Sequence, residues 1–423
     1  MANILVCADG FFRAISPLAL EPLIEGFVES LVKNGNNVLL YIKKDFPEDK
    51  SLSTKLLEFK ATKEVKTFNP EIIFTFNNCI RKSFLQVTNC PVYIIASDTP
   101  VYWNRGRLIE KFNSRYHLLY FNDDLCEDVK NLYKIGFEKQ RRIPYVTAIN
   151  ANSKLPKKYD ISFIGNFYNI SQFLFENIIY ELHVRKDEKT YNEFCELVDD
   201  IIISKKKTSN IQSKWQQIKD KIGKNISLDL LIKEVFLMKT SDIRQNYLSK
   251  ISDMDLHIFT WIQNLRISSN NFNLAKSTHI LPIYDIKGNE KIYNSSVISL
   301  TLPHAQVDTG FSWRVCDILA SNSMLLSNPS KDLDNMFNGI IPVYKDPSSL
   351  RDLCKYYIKN SKERTEVVSE CQRIINKNCR YDNFLDVLYD FTKINFKNCQ
   401  NIGKLINFKS VETKQNKYFA INK

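Results

Sequence analysis

"EIIFTFNNCIRKSFLQVTNCPVYIIASD" (residues 71–98) decides how the first half of this chain folds. It opens and closes on apolar runs, 71–78 and 91–98, rich in β-branched and aromatic residues. Neither run alternates apolar with polar, so each reads as a strand covered on both faces, as in a parallel sheet. Working outward, "NILVCA" (3–8), "NVLLYIK" (37–43) and "YHLLYFND" (116–123) repeat the pattern, with helical or polar stretches between. "ALEPLIEGFVESLVKNG" supplies an amphipathic helix over roughly 19–34, and Gly35 closes it. Strand and helix alternating through the first 150 residues predict a doubly wound, Rossmann-like domain.

"RRIPYVTAINANSKLPKKYD" (141–160), with two prolines and small polar residues, reads as a linker, and "YDISFIGNFY" (159–168) then restarts the pattern. From about 170 to 250 the chain is helical and charged, an all-α insertion after the first strand of the second half. "DLHIFTW" (255–261), "HILPIYD" (279–285), "SSVISLTL" (295–302), "SMLLSN" (323–328) and "GIIPVYK" (339–345) resume the strands. Asp346 as N-cap and Pro347 behind it start a helix over 346–360, with two more at about 361–377 and 381–394. The expected limits are a first domain at 1–145, a linker at 146–158, a second domain at 159–395 and a polar tail at 396–423. Two Rossmann-like domains hinged near 150 would face each other across a cleft, with ligands at the carboxyl ends of the strands.

Composition narrows the class. Hydrophobic residues at 44% and charged ones at 25% are ordinary for a globular protein. Ten cysteines without CxxC or Cys/His spacing argue against a disulfide framework or zinc site, and for a reducing, cytoplasmic location. The opening "MANILVCADG" lacks a signal-peptide pattern, and no apolar run approaches the roughly 20 residues of a membrane-spanning helix. The net charge of +12 is either solvated surface or attraction to something acidic, such as a nucleotide or an anionic membrane face. No nucleic-acid-binding signature accompanies it, so nucleic acid is not an expected partner.

The sharpest local signal is "GFSWRVCDILASNSMLLSN" (310–328), which places Arg314 and Asp317 in a short apolar helix. An arginine in a helix's first turn opposes the macrodipole, unless an anion shares the site. Asp308, Thr309 and Gly310 read as a turn and N-cap ahead of it, with Phe311, Val315, Ile318 and Leu319 facing the core. Arg314 can grip diphosphate oxygens and Asp317 can accept ribose hydroxyls; the plain alternative is a solvent-exposed salt bridge. His304, just upstream, is a phosphate or sugar ligand or a satisfied loop residue. Gly165 and Asn166 follow one strand of the second half, and Trp261 follows another, where an aromatic can flank a base or cap the core. In the first half Asp9, near Arg13, and Asp98 end strands; each is a candidate general base or an Asx turn. Asn77 and Asn78 end a third strand on the same side.

From "EKIYNSSVISLTLPHAQVDTGFSWRVCDILASNS" through "IPVYKDPSSLRDLCKYYI", about 284 to 385, the chain resembles the second domain of GT-B glycosyltransferases, the family-1-type, CgeB-like bacterial enzymes in particular. The resemblance implies the GT-B architecture, a nucleotide-sugar co-substrate, Arg314 on the diphosphate and Asp317 on the ribose. It implies no cofactor and no metal. The acceptor would be a hydroxyl of a glycan, a lipid-linked glycan or a protein. Closure of the halves about the linker would exclude water. Three departures stand out: Asp317 where the family has glutamate, "ASNS" (320–323) where it has a glycine-rich turn, and Thr309 eight residues before Asp317, where many retaining enzymes carry glutamate. Two other readings share this architecture, a nucleotide-sugar epimerase and a non-catalytic nucleotide-sugar-binding scaffold.

Overall fold

Asn3–Ala8 (β1) lies between two parallel neighbours, Asn37–Ile42 (β2) and Ile72–Phe76 (β3), and all but one of its side chains are buried. These come from a computed structural model that describes every residue except 10–19, 44–50, 104–105, 169–171, 206–207, 223–225, 261–271, 280–282, 284, 398–401 and 408–423. The described chain divides into two compact units. One comprises Met1–Ala148, Tyr284–Gly288 and Asn376–Lys423; the other comprises Ile149–Ile283 and Asn289–Ile375.

In the first unit, helices Pro22–Lys33 (α1), Leu52–Phe68 (α2), Lys82–Val87 (α3), Gly106–Lys111 (α4) and Asp123–Tyr133 (α5) alternate with the strands. Val92–Ala96 (β4), Tyr116–Tyr120 (β5) and Gln140–Arg142 (β6) continue the sheet beyond β3, every pairing parallel. The unbroken apolar runs thus do what parallel strands require, burying both faces under helices. Gly35 takes φ 87° behind α1, the left-handed turn that ends a helix and turns the chain into β2.

The second unit builds on Tyr159–Ile164 (β7), which is followed by the helices Gln172–Val184 (α6), Glu188–Ser204 (α7), Ser209–Ile218 (α8) and Leu228–Ser249 (α9). These form the all-α insertion. Leu256–Phe259 (β8), Phe272–Ser277 (α10), Thr278–His279 (β9), Ile286–Asn294 (α11), Ser296–Leu300 (β10), Arg314–Ala320 (α12) and Met324–Leu326 (β11) follow. Lys331–Phe337 (α13), Pro347–Lys359 (α14) and Ser361–Asn378 (α15) complete that half. The sheet is parallel throughout, in the order β11-β10-β7-β8-β9.

Expectations at four places need correction. The run 339–345 forms no named strand: Val343 makes an isolated bridge to Ser327, because Pro342 has no N–H to give a ladder. The run 279–285 contributes only His279 to β9 among its described residues. The polar tail is not separate from the sheet. Leu405–Asn407 (β12) pairs in parallel with β2, giving the order β12-β2-β1-β3-β4-β5-β6, and Tyr381–Thr392 (α16), expected in the second domain, packs on α1 of the first unit. Residues 150–158, expected within a linker, are pinned to the second unit. The Asn294 amide donates to the Asn150 carbonyl at 2.9 Å, and Lys157 Nζ donates to the carbonyls of Ser296 and Asn322, each at 2.7 Å. Burial, with Arg364 nearby, lowers the Lys157 ammonium to about 8.

Candidate functional site

The second sheet reverses direction between β7 and β10: the chain steps outward through β8 and β9, then returns to the other side of β7. Loops leaving the two strands at such a switch point diverge and leave a crevice at the carboxyl ends. Here they are residues 165–168 and 301–313. Tyr168 from the first and His304 from the second meet edge to face, centroids 5.5 Å apart. Tyr168 sits at φ 53°, a conformation costly for a bulky residue, and its amide donates to Asn166 Oδ1 at 3.4 Å.

Two guanidiniums converge on this pair. Arg244 of α9, 7% exposed, donates through Nη1 to the Asn166 carbonyl at 2.6 Å and through Nη2 to the Leu302 carbonyl at 3.5 Å, so one side chain ties both loops. Its Cζ lies 5.4 Å from the Tyr168 ring centroid. Arg314 opens α12, and its guanidinium stacks on Trp313 at 4.5 Å. The Nε atoms of both arginines are buried without a hydrogen-bond partner among the described residues. Burial first, then Arg244 and Arg314, depress the His304 imidazole to about 3, so it stays neutral at physiological pH. Burial also lowers the pKa of Arg244, Tyr168 opposing and Arg314 adding to the effect, yet a guanidinium keeps its charge. Two such charges therefore lie beside the loops at this switch point.

Asp317, 3% exposed, lies one turn along α12, which excludes the solvent-exposed salt bridge. Tyr293 of α11 links the two fields. Burial raises its hydroxyl well above the phenol range, Arg314 opposing and Asp317 reinforcing. The helix does not start where expected. The first turn forms through Val315 N to Ser312 O at 2.9 Å, Trp313 is the N-cap, and Phe311 is only half-buried. Asp308 is ion-paired with Lys205 at the end of α7 instead of capping, and Gly310 is buried in the loop. Gly165 has a local reason to be glycine, since a Cβ there would stand 2.4 Å from the Phe163 ring. Trp261 lies outside the described residues.

The first sheet has its own reversal, between β1 and β3, and Asp9 and Asn77 stand at the carboxyl ends of those strands. Asn77 and Asn78 take φ 47° and 56° in a tight turn. The Asn77 amide donates to Asp98 Oδ2 at 2.6 Å, while its Oδ1 accepts from the amides of Ser97 and Asp98, each at 3.0 Å. Asp98 is therefore fixed in a loop-closing network. Asn78 is fully buried and accepts from the Tyr116 hydroxyl at 3.2 Å, a structural place. Arg13 lies outside the described residues. Among the described residues, no group of three His, Cys, Asp or Glu side chains is placed to hold a metal, and no helix is long and apolar enough to cross a membrane.

Arg244, Tyr168 and Tyr293 were not singled out by the sequence reading. A signal for Arg244 exists: Thr240, Ser241, Arg244 and Gln245 put polar side chains on the buried face of α9. That face serves the β10 loop, with Ala305 N donating to Thr240 Oγ1 at 3.0 Å.

Residues 285–390 match a family model described as glycosyl transferase-like, a span that includes Tyr293, His304, Arg314 and Asp317. Among solved structures, phage T4 BGT in complex with UDP and Mn2+ aligns at a TM-score of 0.50 and 11% identity, over 92% of this chain and 99% of that one. A glycosyltransferase from Rickettsia africae ESF-5 aligns at 0.45 and 10% identity, over 92% and 98%. Anabaena Alr3699/HepE in complex with UDP and glucose aligns at 0.44 and 8%, over 92% and 100%. At such identities the likeness is one of fold. No curated protein matches the sequence.

Proposed function

We propose that this GT-B glycosyltransferase moves a sugar from a nucleoside-diphosphate-sugar donor to a hydroxyl of a glycan, lipid-linked or protein acceptor, without a bound metal, in a reducing, cytoplasmic setting. The observation that carries the reading is the convergence of Arg244 and Arg314 on neutral His304 at the β7/β10 switch point. A diphosphate leaving group gains charge as its oxygen separates from the sugar's anomeric carbon, and positive charge already in place stabilises it without reorganisation. Arg314 offers its unoccupied Nε and the open face of a guanidinium already stacked on Trp313. Arg244 ties the two loops through Nη1 and Nη2 and adds its charge to the site. His304, being neutral, can donate to one ligand oxygen while accepting elsewhere. Asp317 is assigned the ribose. In the first unit Asp9 is the better candidate base, because Asp98 is held in the loop-closing network with Asn77.

The test is turnover. Purified protein with UDP-, GDP-, CDP- and TDP-linked sugars should release one nucleoside diphosphate slowly through hydrolysis, and equally well with EDTA present. Asp9→Asn should lower turnover with acceptor while leaving donor binding intact. Turnover that vanishes in EDTA and returns with Mn2+ contradicts the metal-free mechanism. Epimerised donor, or binding with no chemistry under any condition, contradicts the transferase.

A further inference from the structure

α2 is a well-formed helix, with Ser51 Oγ accepting from Thr54 N at 3.2 Å and Asn69 closing it in a left-handed turn. Thr54, Ala61 and Val65 face the first unit's core, as the 3.6-residue period requires. The opposite face, which should be wholly polar, carries three large apolar side chains among its lysines. Leu52 is 75% exposed, Leu56 53% and Phe59 68%, at spacings of four and three residues that align them on one stripe about 10 Å long. Lys63 continues the stripe, and Lys55, Lys60 and Lys66 flank it; all four lysines are exposed, and among the described residues none is in an ion pair. Of the two glutamates on the helix, Glu58 is engaged by Arg81 at 3.1 Å on the inner side, which leaves Glu64 beside the stripe.

We infer that this face of α2 docks on an anionic lipid surface. The stripe is convex, three apolar side chains standing out from one helix, a shape suited to insertion between headgroups. Long lysine side chains around it can lie along the interface and reach lipid phosphates with their ammonium groups. A second copy of the chain is a poor occupant, since it would set four lysines against four lysines. The inference is independent of the nucleotide site, which lies on the other unit, and is compatible with an acceptor presented at a membrane.

The experiment is co-sedimentation of the full chain with phosphatidylcholine vesicles, with and without phosphatidylglycerol. The chain should bind the anionic vesicles, weakly or not at all the neutral ones, and less at raised salt. Leu52→Ser with Phe59→Ser should weaken that binding about tenfold or more by removing the inserted area. Lys63→Glu with Lys66→Glu should do so at least as strongly, each lysine being worth about fivefold. Phe59→Trp should show a blue-shifted emission only with anionic vesicles. All three variants change exposed positions, so an unaltered melting temperature verifies the fold, and unchanged nucleotide binding separates this result from that of the transferase. Equal binding by the Leu52→Ser/Phe59→Ser variant, no binding by the wild type, or a dimer that this variant dissociates would each overturn the inference.

Discussion

A buried arginine is tolerated only when its donors are occupied, because an uncompensated charge costs several kcal/mol. Arg244 meets that condition in part: Nη1 and Nη2 donate to the carbonyls of Asn166 and Leu302, while Nε has no partner among the described residues. Arg314 is the opposite case, half-exposed, resting on Trp313, with donors to spare. This difference explains which was legible. Arg314 announces itself as a cation in the first turn of an apolar helix. Arg244 sits in a helix with charges on several sides, and only its phase against the core marks it. His304 was visible as a rare residue before the helix, but its neutrality depends on two arginines from different elements. That neutrality has a pH signature. Its folded pKa of about 3 lies below the ordinary 6.5, so between those values the unfolded chain takes a proton that the folded one refuses. Stability from this group is complete above pH 6.5 and falls as pH drops, by at most about 1.4 kcal/mol per pH unit. Urea midpoints across that range should decline less steeply in His304→Gln; an unchanged slope would place the proton uptake elsewhere.

Between elements, the strands were readable because parallel strands buried on both faces leave unbroken apolar runs, as in β1, β3 and β4. The insertion helices were readable from charge and periodicity. What the patterns could not show was α16 crossing back to α1, a contact between residues more than 350 positions apart. Gly26 marks it. Glycine inside a helix costs about 1 kcal/mol against alanine, so its presence in α1 needs a reason. A Cβ there would stand 2.6 Å from the Tyr381 ring, whose hydroxyl donates to the Leu23 carbonyl at 2.8 Å. Gly26→Ala should therefore destabilise by about 1–3 kcal/mol despite its better helix propensity. Adding Tyr381→Ala should cost less than the sum of the two single changes, measured by chemical denaturation. A stabilised Gly26→Ala variant would show that the helices can part freely.

At the scale of the molecule, the sequence yielded two doubly wound halves but not their exact limits. β12 is three residues in a polar tail, and its place beside β2 is dictated by backbone hydrogen bonding such as Val38 N to Lys404 O at 2.8 Å, which leaves no hydrophobic pattern. Gly403 permits that approach, since a Cβ would fall on the Asn36 carbonyl. Residues 143–158, with their prolines and small polar residues, are irregular backbone. Their attachment to the second unit rests on carbonyl contacts of Lys157 that composition does not reveal. What the two switch points supply is position, and a nucleoside diphosphate is the ligand proposed for the one at β7/β10. The most direct test is a thermal-shift screen with UDP, GDP, CDP and TDP on the wild type, Arg314→Ala and Arg244→Met. A nucleotide at ~100 times its dissociation constant adds about 2.7 kcal/mol of stability. One base should give a clear upward shift, Arg314→Ala should melt near the unliganded wild type and lose the shift, and Arg244→Met should melt lower and lose it too. No shift with any nucleotide in a well-folded wild type, or a full shift retained in Arg314→Ala, would contradict the proposal.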